Sequence, residues 1–344
     1  MTSTAQARSK SKLWILLVIS GILFVIFTSQ IPFFEVILPQ LWSKIPVFAT
    51  VFLGIFIEAV PFLLLGTLGS GFVEAFLDHD QIQRVIPRRA LAGALTGSLL
   101  GLVFPVCECG VVPLTRRLFN KGLPAAAGIA FLMAAPVVNP IVILSTSTAF
   151  GWGWMLAGRV GLSMLVAITA GVIFSVVGGS GEILLPPKWV HEEQVSLPVL
   201  DGPHAPQVFR EKLNRMLVVA ADEFFEMGRF LVLGAGLAAG MQALIPQQAL
   251  VQIGRGPILS VLVMLALAVI LSICSTVDAF VVLGFVSTFS PGAILAFLIF
   301  GPMVDIKTTL MYLSVFKKRP VIYLILLPFL MSLLAGMLVN LWVA

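Results

Sequence analysis

Residues Val103–Leu114 read VFPVCECGVVPL, two cysteines flanking a glutamate inside an otherwise apolar stretch. Thiolates are soft ligands for thiophilic metals and metalloids, and a carboxylate between them can hold a cation or carry a proton. Cys107, Glu108 and Cys109 are therefore the candidate metal ligands. Spacing decides whether they can act together. On a regular helix, side chains two positions apart point about 200° from each other, whereas in a turn they converge. Pro105, Pro113 and Gly110 are residues that interrupt a helix and permit such a turn. A single cysteine in an apolar span reads as a small hydrophobe. A pair at a broken helix, with Cys274 at the matching place further on, reads as a site.

Other polar groups stand at membrane depth, where a carboxylate costs roughly 2.5–3.5 kcal/mol even on a lenient insertion scale and is mostly retained for function. Glu108 can serve as cation ligand, proton carrier or ion-pair partner of Arg116. Asp278, four residues after Cys274, and Asp305, near Lys307, raise the same alternatives. Asp305 and Lys307 do not share a helical face, so they neutralise each other only across a broken segment. Asn139 can offer its amide to substrate or satisfy backbone opened by Pro136 and Pro140. Glu58 and Glu226 read as ion-paired or interfacial, Glu226 with Arg229 one turn away. The candidate substrate-binding set is Cys107, Glu108, Cys109, Asn139, Cys274, Asp278 and Asp305.

What must position these residues follows from composition. The 344 residues are 59% hydrophobic and 11% charged, against roughly 25% charged in a soluble domain, so the expected fold is an all-α polytopic membrane protein. Span-length stretches are drawn at Leu13–Phe27 (a little short, extendable to Ile31), Pro46–Leu77, Ala90–Thr115, Leu123–Phe150 and Trp152–Val177, then at Met216–Ile245, Pro257–Thr288, Ala293–Phe316 and Val321–Val343. The first lacks a small-residue cleavage pattern and reads as an anchoring helix. A Gly-, Pro- and charge-rich interval separates the two sets. The expected organisation is a tail and anchoring helix (1–45), a first membrane repeat (46–177), a cytoplasmic linker (178–214) and a second repeat (215–344). All three cysteines lie in apolar segments, which argues against a disulfide scaffold. The net charge of +5 suits basic cytoplasmic loops and implies no nucleic-acid partner. No phosphate loop, Ser–His–Asp set or HExxH helix occurs, so neither an enzyme nor a cofactor is expected.

The halves align with each other. Ile57–Leu77 lies over Phe225–Ile245, bringing Glu58 onto Glu226 and Gly66 onto Gly234; Cys107 then falls on Cys274, Pro124 on Pro291, Pro136 on Pro302 and Asn139 on Asp305. Counting every stretch as one span would put Arg116, Arg117 and Lys121 opposite the basic N-terminus, against the positive-inside tendency. Re-entrant hairpins turning at Cys107–Gly110 and at Cys274–Val277 remove that conflict. They leave three full crossings per half, so the repeats become inverted, with both hairpin tips near the midplane where such transporters place substrate; the alternative is parallel four-span repeats, since both hairpins are long enough to cross if unbroken. The triple Gly93, Gly97, Gly101 has the spacing that lets helices approach closely.

The segment CECGVVPLTRRLFNKGLPAAAGIAFLMAAPVVNPIVILST (Cys107–Thr146) resembles the signature of the predicted bacterial permeases that include the organoarsenical efflux permeases: a CxCG-x-x-P segment followed by A-x-P-x-x-N-P. Cys274 with Gly301–Thr309 (GPMVDIKTT) is also similar to that family's second half. The resemblance implies a secondary transporter, multi-pass in the bacterial plasma (inner) membrane, that exports a thiophilic metalloid or metal species such as a trivalent organoarsenical, with proton coupling. Expected partners are the lipid bilayer, a small inorganic or organometalloid substrate, a separately encoded soluble or membrane-anchored subunit, and a second copy of the chain. The residue between the cysteines is small and polar in the arsenical exporters, so Glu108 is a departure that favours a metal cation. The alternatives are a membrane thiol oxidoreductase using the CxC pair, or a channel or scaffold subunit of a two-component permease.

Overall fold

The computed structural model describes residues 33–87, 89–177, 183–185, 209–244 and 256–343. The proposed anchoring stretch Leu13–Phe27 and most of the linker lie outside them. The chain divides into two units, Met1–Thr50 and Val51–Ala344. The first contributes the opening turns of a long helix, where Thr50 Oγ1 donates to the Pro46 carbonyl; every contact described below belongs to the second.

The described residues are helical apart from turns and one isolated bridge between Leu184 and Phe316. The first half comprises α1 (Phe33–Phe76), the short α2 (His79–Val85), α3 (Ala90–Val103), α4 (Glu108–Asn120), α5 (Ala125–Ala134), α6 (Pro140–Phe150) and α7 (Trp154–Val177). The second comprises α8 (Phe209–Leu244), α9 (Pro257–Leu271), α10 (Asp278–Leu283), α11 (Pro291–Phe300), α12 (Ile306–Val315) and α13 (Lys318–Val343). Among the described residues, Trp42–Phe76, Trp154–Val176 and Lys318–Trp342 are long and apolar enough to cross a membrane. The fold is that of an all-α polytopic membrane protein.

Several apolar helices between those long ones, α3, α5, α6, α9 and α11, are too short to cross on their own. α5 and α11, with 10 residues each, reach about 15 Å at 1.5 Å per residue. Proline and glycine lie at two of the breaks. The stretch Leu123–Phe150 is interrupted at residues 135–139 before Pro140 opens α6, and Ala293–Phe316 at residues 301–305 before α12. The stretch Pro257–Thr288 breaks at Ser272, whose backbone is left-handed at φ 45°. Elsewhere helix runs further than expected: α1 extends back through Pro39 and Pro46 to Phe33, and α8 begins at Phe209 because Phe209–Asn214 is rich in good helix formers.

α1 and α8 run in opposite directions. The end of α1 lies beside the start of α8: Glu74 pairs with Arg215 at 2.9 Å, the Phe76 and Phe209 rings are 6.2 Å apart, and a Cβ on Gly71 would strike the Met216 carbonyl oxygen. α3 packs along α5 so closely that a Cβ on Gly97 would collide with the Ala127 carbonyl oxygen, as its small-residue spacing suggests. α4 packs on α12 and α10 on α6, each pair joining the two halves.

Candidate functional site

The motif sits at the break between α3 and α4. α3 ends at Phe104, Pro105 follows, and Cys107 becomes the N-cap of α4 with extended backbone (φ −81°, ψ 179°). This bend brings the Cys107 thiol within 4.8 Å of the Cys274 thiol. Glu108 is the first residue of α4, where the positive end of the helix dipole favours an anion. Pro113 lies inside α4 and withholds the N–H that would bond the Cys109 carbonyl. A Cβ on Gly66 of α1 would overlap Gly110, so only glycine lets α1 press against this first turn.

Cys107, Glu108 and Cys274, each buried, can turn one ligand atom apiece to within 4.8 Å of the others. Glu108 Oε2 accepts from Cys274 Sγ at 3.8 Å and from Ser275 Oγ at 3.5 Å. Its Oε1 lies 3.5 Å from Lys307 Nζ. Lys307 Nζ is also 3.3 Å from Asp305 Oδ2. Asp305 caps α12, accepting at Oδ1 from Thr308 N and Thr308 Oγ1, both at 2.7 Å. This is the broken segment that an i, i+2 pair requires. Glu58 adds a half-buried carboxylate with Lys307, Cys274 and Thr276 as its electrostatic neighbours. Sulfur and oxygen donors from both halves thus surround one buried ammonium, a set suited to a thiophilic or cationic solute.

The other expected residues stand apart from this cluster. Asn139 caps α6: its Oδ1 accepts from Val142 N at 2.9 Å, and its Nδ2 donates to the Ala135 carbonyl at 3.1 Å and the Val106 carbonyl at 3.5 Å. Its amide holds backbone on both sides of the break. Asp278, the first residue of α10, is clamped by Arg159 of α7 through two bonds of 3.0 and 2.6 Å. Arg159 also donates to Thr146 Oγ1 at 2.8 Å and to the Ser275 carbonyl at 3.4 Å. Ser275 therefore joins the two ion-paired systems. Arg159 was absent from the candidates, although one arginine in a 24-residue apolar helix is itself a functional signal in a membrane protein.

Arg116 does not pair with Glu108; it reaches Glu226 of α8 at 2.9 Å. Arg229 instead donates to the Glu226 backbone carbonyl at 3.2 Å. Arg117 pairs with Glu223 and, at 3.7 Å, with Glu74, and Lys121 lies 3.6 Å from Glu74. The Phe119 ring meets Phe316 at 6.4 Å, so Arg116, Arg117, Lys121, Arg215 and Lys317 collect at one end of the second unit.

Residues 44–341 match the predicted permease family. The chain belongs to that family. It is a transporter family and not an enzyme family, so the thiol oxidoreductase alternative falls. The permease is 43% identical over 277 residues to the UPF0718 protein YcgR of Bacillus subtilis, covering 80% of this chain and 91% of that one. It is 38% identical over 270 residues to a Streptococcus mutans protein described as a proposed subunit of a two-component membrane permease complex, covering 78% and 87%. With the UPF0718 protein YraQ of Escherichia coli it shares 26% identity over 168 residues, 48% and 44% of the two chains. No solved structure matches the permease. Glu58, the three cysteines, Glu108, Arg159 and Lys307 all fall inside the family match.

Proposed function

We propose that the permease moves a small thiophilic metal or metalloid species across the bacterial plasma membrane, through a site shared by its two inverted halves. The observation that carries this reading is the meeting of Cys107 and Glu108 from one half with Cys274 from the other, within 4.8 Å. Two soft donors and one hard one in a closed, dry setting suit a solute that exchanges water for sulfur. Cys107 is 3% exposed, Cys109 0% and Cys274 3%. A solute therefore reaches them only when the halves part, as in rocking-bundle alternating access. Outward movement coupled to protons fits the carboxylates around Lys307, and a trivalent organoarsenical and a divalent cation are the two solutes to compare. The test is uptake into everted vesicles of cadmium, zinc and a trivalent phenylarsenical. Accumulation of at least one should depend on Cys107 and Cys274 alike; uptake of all three unchanged by both serine variants would refute the reading.

A second reading has its own support. The description of the Streptococcus mutans relative as a proposed complex subunit suggests that this chain, too, works with a separately encoded partner. Co-purification of the tagged chain from its native host tests this: a stoichiometric second protein is expected, and a homogeneous single chain with full transport after reconstitution would count against it.

A further inference from the structure

The two buried ion pairs that link the halves differ in construction. Arg159 grips Asp278 with both guanidinium nitrogens, at 3.0 and 2.6 Å, and its fork is further held by Thr146 and Ser275. A bidentate arginine pair is a fixed fastener. Lys307 is held differently. It stands 3.5 Å from Glu108 and 3.3 Å from Asp305, longer than the 2.7–2.9 Å typical of a charge-assisted hydrogen bond. The two oxygens it faces, Glu108 Oε1 and Asp305 Oδ2, are buried and have no hydrogen-bond partner among the described residues. A compact charge on a flexible four-carbon stem is shared between two acceptors.

The Lys307 backbone and Asp305 are closely held. A Cβ on Gly234 would fall 2.8 Å from Lys307 Cα, so α8 presses directly on the lysine backbone. Asp305 is pinned through its other oxygen by Thr308. Glu108 meets Cys274 and Ser275 through its other oxygen, at 3.8 and 3.5 Å. The oxygen of Glu108 that Lys307 occupies belongs to the same carboxylate that completes the sulfur cluster.

We propose that Lys307 is a tethered surrogate for the transported solute: a soft divalent cation docking on Cys107, Cys274 and Glu108 replaces the two thiol protons, which leave to solvent, and displaces the ammonium of Lys307 from Glu108 toward Asp305. This rests on the reading of the cluster as the solute site and narrows it to a cationic solute, since a neutral arsenical carries no charge with which to replace the ammonium. Both states keep the buried carboxylates compensated, which an uncompensated charge in a dry interior would not tolerate. Lys307 thereby sets selectivity without being a ligand. It competes with the cation for Glu108, and Asp305 receives it when it leaves.

The proposal is tested by equilibrium binding of cadmium to the purified full-length chain in detergent, followed by calorimetry and by the ultraviolet absorption of cadmium–thiolate bonds. Lys307→Gln removes the competitor and should tighten binding at least about tenfold, since like-charge juxtaposition costs more than one tenfold step of affinity. Asp305→Asn is the second variant, near-isosteric and leaving the Lys307–Glu108 pair in place. It should weaken binding although Asp305 is no ligand, and Lys307→Gln should abolish that effect in the double variant. Unchanged or weaker binding by a folded Lys307→Gln protein, or indifference to Asp305→Asn, would overturn the surrogate role while leaving the solute site standing. Failure of the unmodified chain to bind cadmium, with phenylarsenical binding intact, would overturn it too and point to a neutral solute. If neither probe binds, the cluster is not the solute site and both readings fall.

Discussion

Glu108 of α4 and Lys307 of α12 face each other at 3.5 Å, with side chains only 1% and 2% exposed, and they come from different halves of the chain. Arg159 of α7 and Asp278 of α10 make the reciprocal pair, again one residue from each half. In both pairs the carboxylate is the first residue of the helix that follows a break. The halves are thus cross-linked by charge where the helices are broken, and Ser275 touches both links.

Arg159→Met should strand Asp278 as an unpaired buried carboxylate. Breaking a buried pair from one side costs about 3–5 kcal/mol, whereas replacing both partners by apolar residues is often neutral. Thermal unfolding in detergent should therefore fall sharply for Arg159→Met and recover substantially in Arg159→Met with Asp278→Leu. A single variant as stable as the parent would mean that the clamp does not hold α10.

Gly234→Val should press a branched side chain into the Lys307 backbone, which lies 2.8 Å from where its Cβ would stand. Overpacking costs about 1–3 kcal/mol, and here it also shifts a site residue. Lower thermal stability together with impaired solute binding is expected. Stability lost with binding untouched would show that α8 does not set the position of Lys307.

These outcomes bear on what could be read from the chain alone. The membrane class, the broken segments and the grouping of Cys107 with Cys274 were legible because proline, glycine and cysteine at apolar positions are individually informative. The partners were not. Glu108 and Arg116 are eight residues apart on a helix that stands beside α8 and α12, and the choice between Arg116 and Lys307 depends on packing across the halves. Asn139 and Asp305 align, yet the first is absorbed by backbone while the second keeps an oxygen for Lys307, because only the second is followed by a lysine. Arg159 and Lys307 could have been singled out by depth, since any cation within an apolar span needs a partner.

Cysteines placed at Asn120 and at Phe209 should react with an impermeant thiol reagent from the same, cytoplasmic side. The Glu74 carboxylate meets Lys121 from the end of α4 and Arg215 from the start of α8, so both ends share one level. Labelling from opposite sides would break the inverted arrangement.

Glu108→Ser should weaken cadmium and zinc transport while sparing a trivalent phenylarsenical, because it removes the hard oxygen and leaves the soft sulfur. The check is the same vesicle panel used for the parent chain. Equal loss for every solute would mean that Glu108 acts in coupling or assembly and not in selectivity.

The central claim is that one solute is held by ligands from both halves, and X-ray absorption of cadmium bound to the purified permease tests it most directly. The expected coordination is at least two sulfurs with a carboxylate oxygen, losing one sulfur in Cys107→Ser and one in Cys274→Ser. A sulfur shell that either variant leaves unchanged, or an oxygen-only shell, would contradict it.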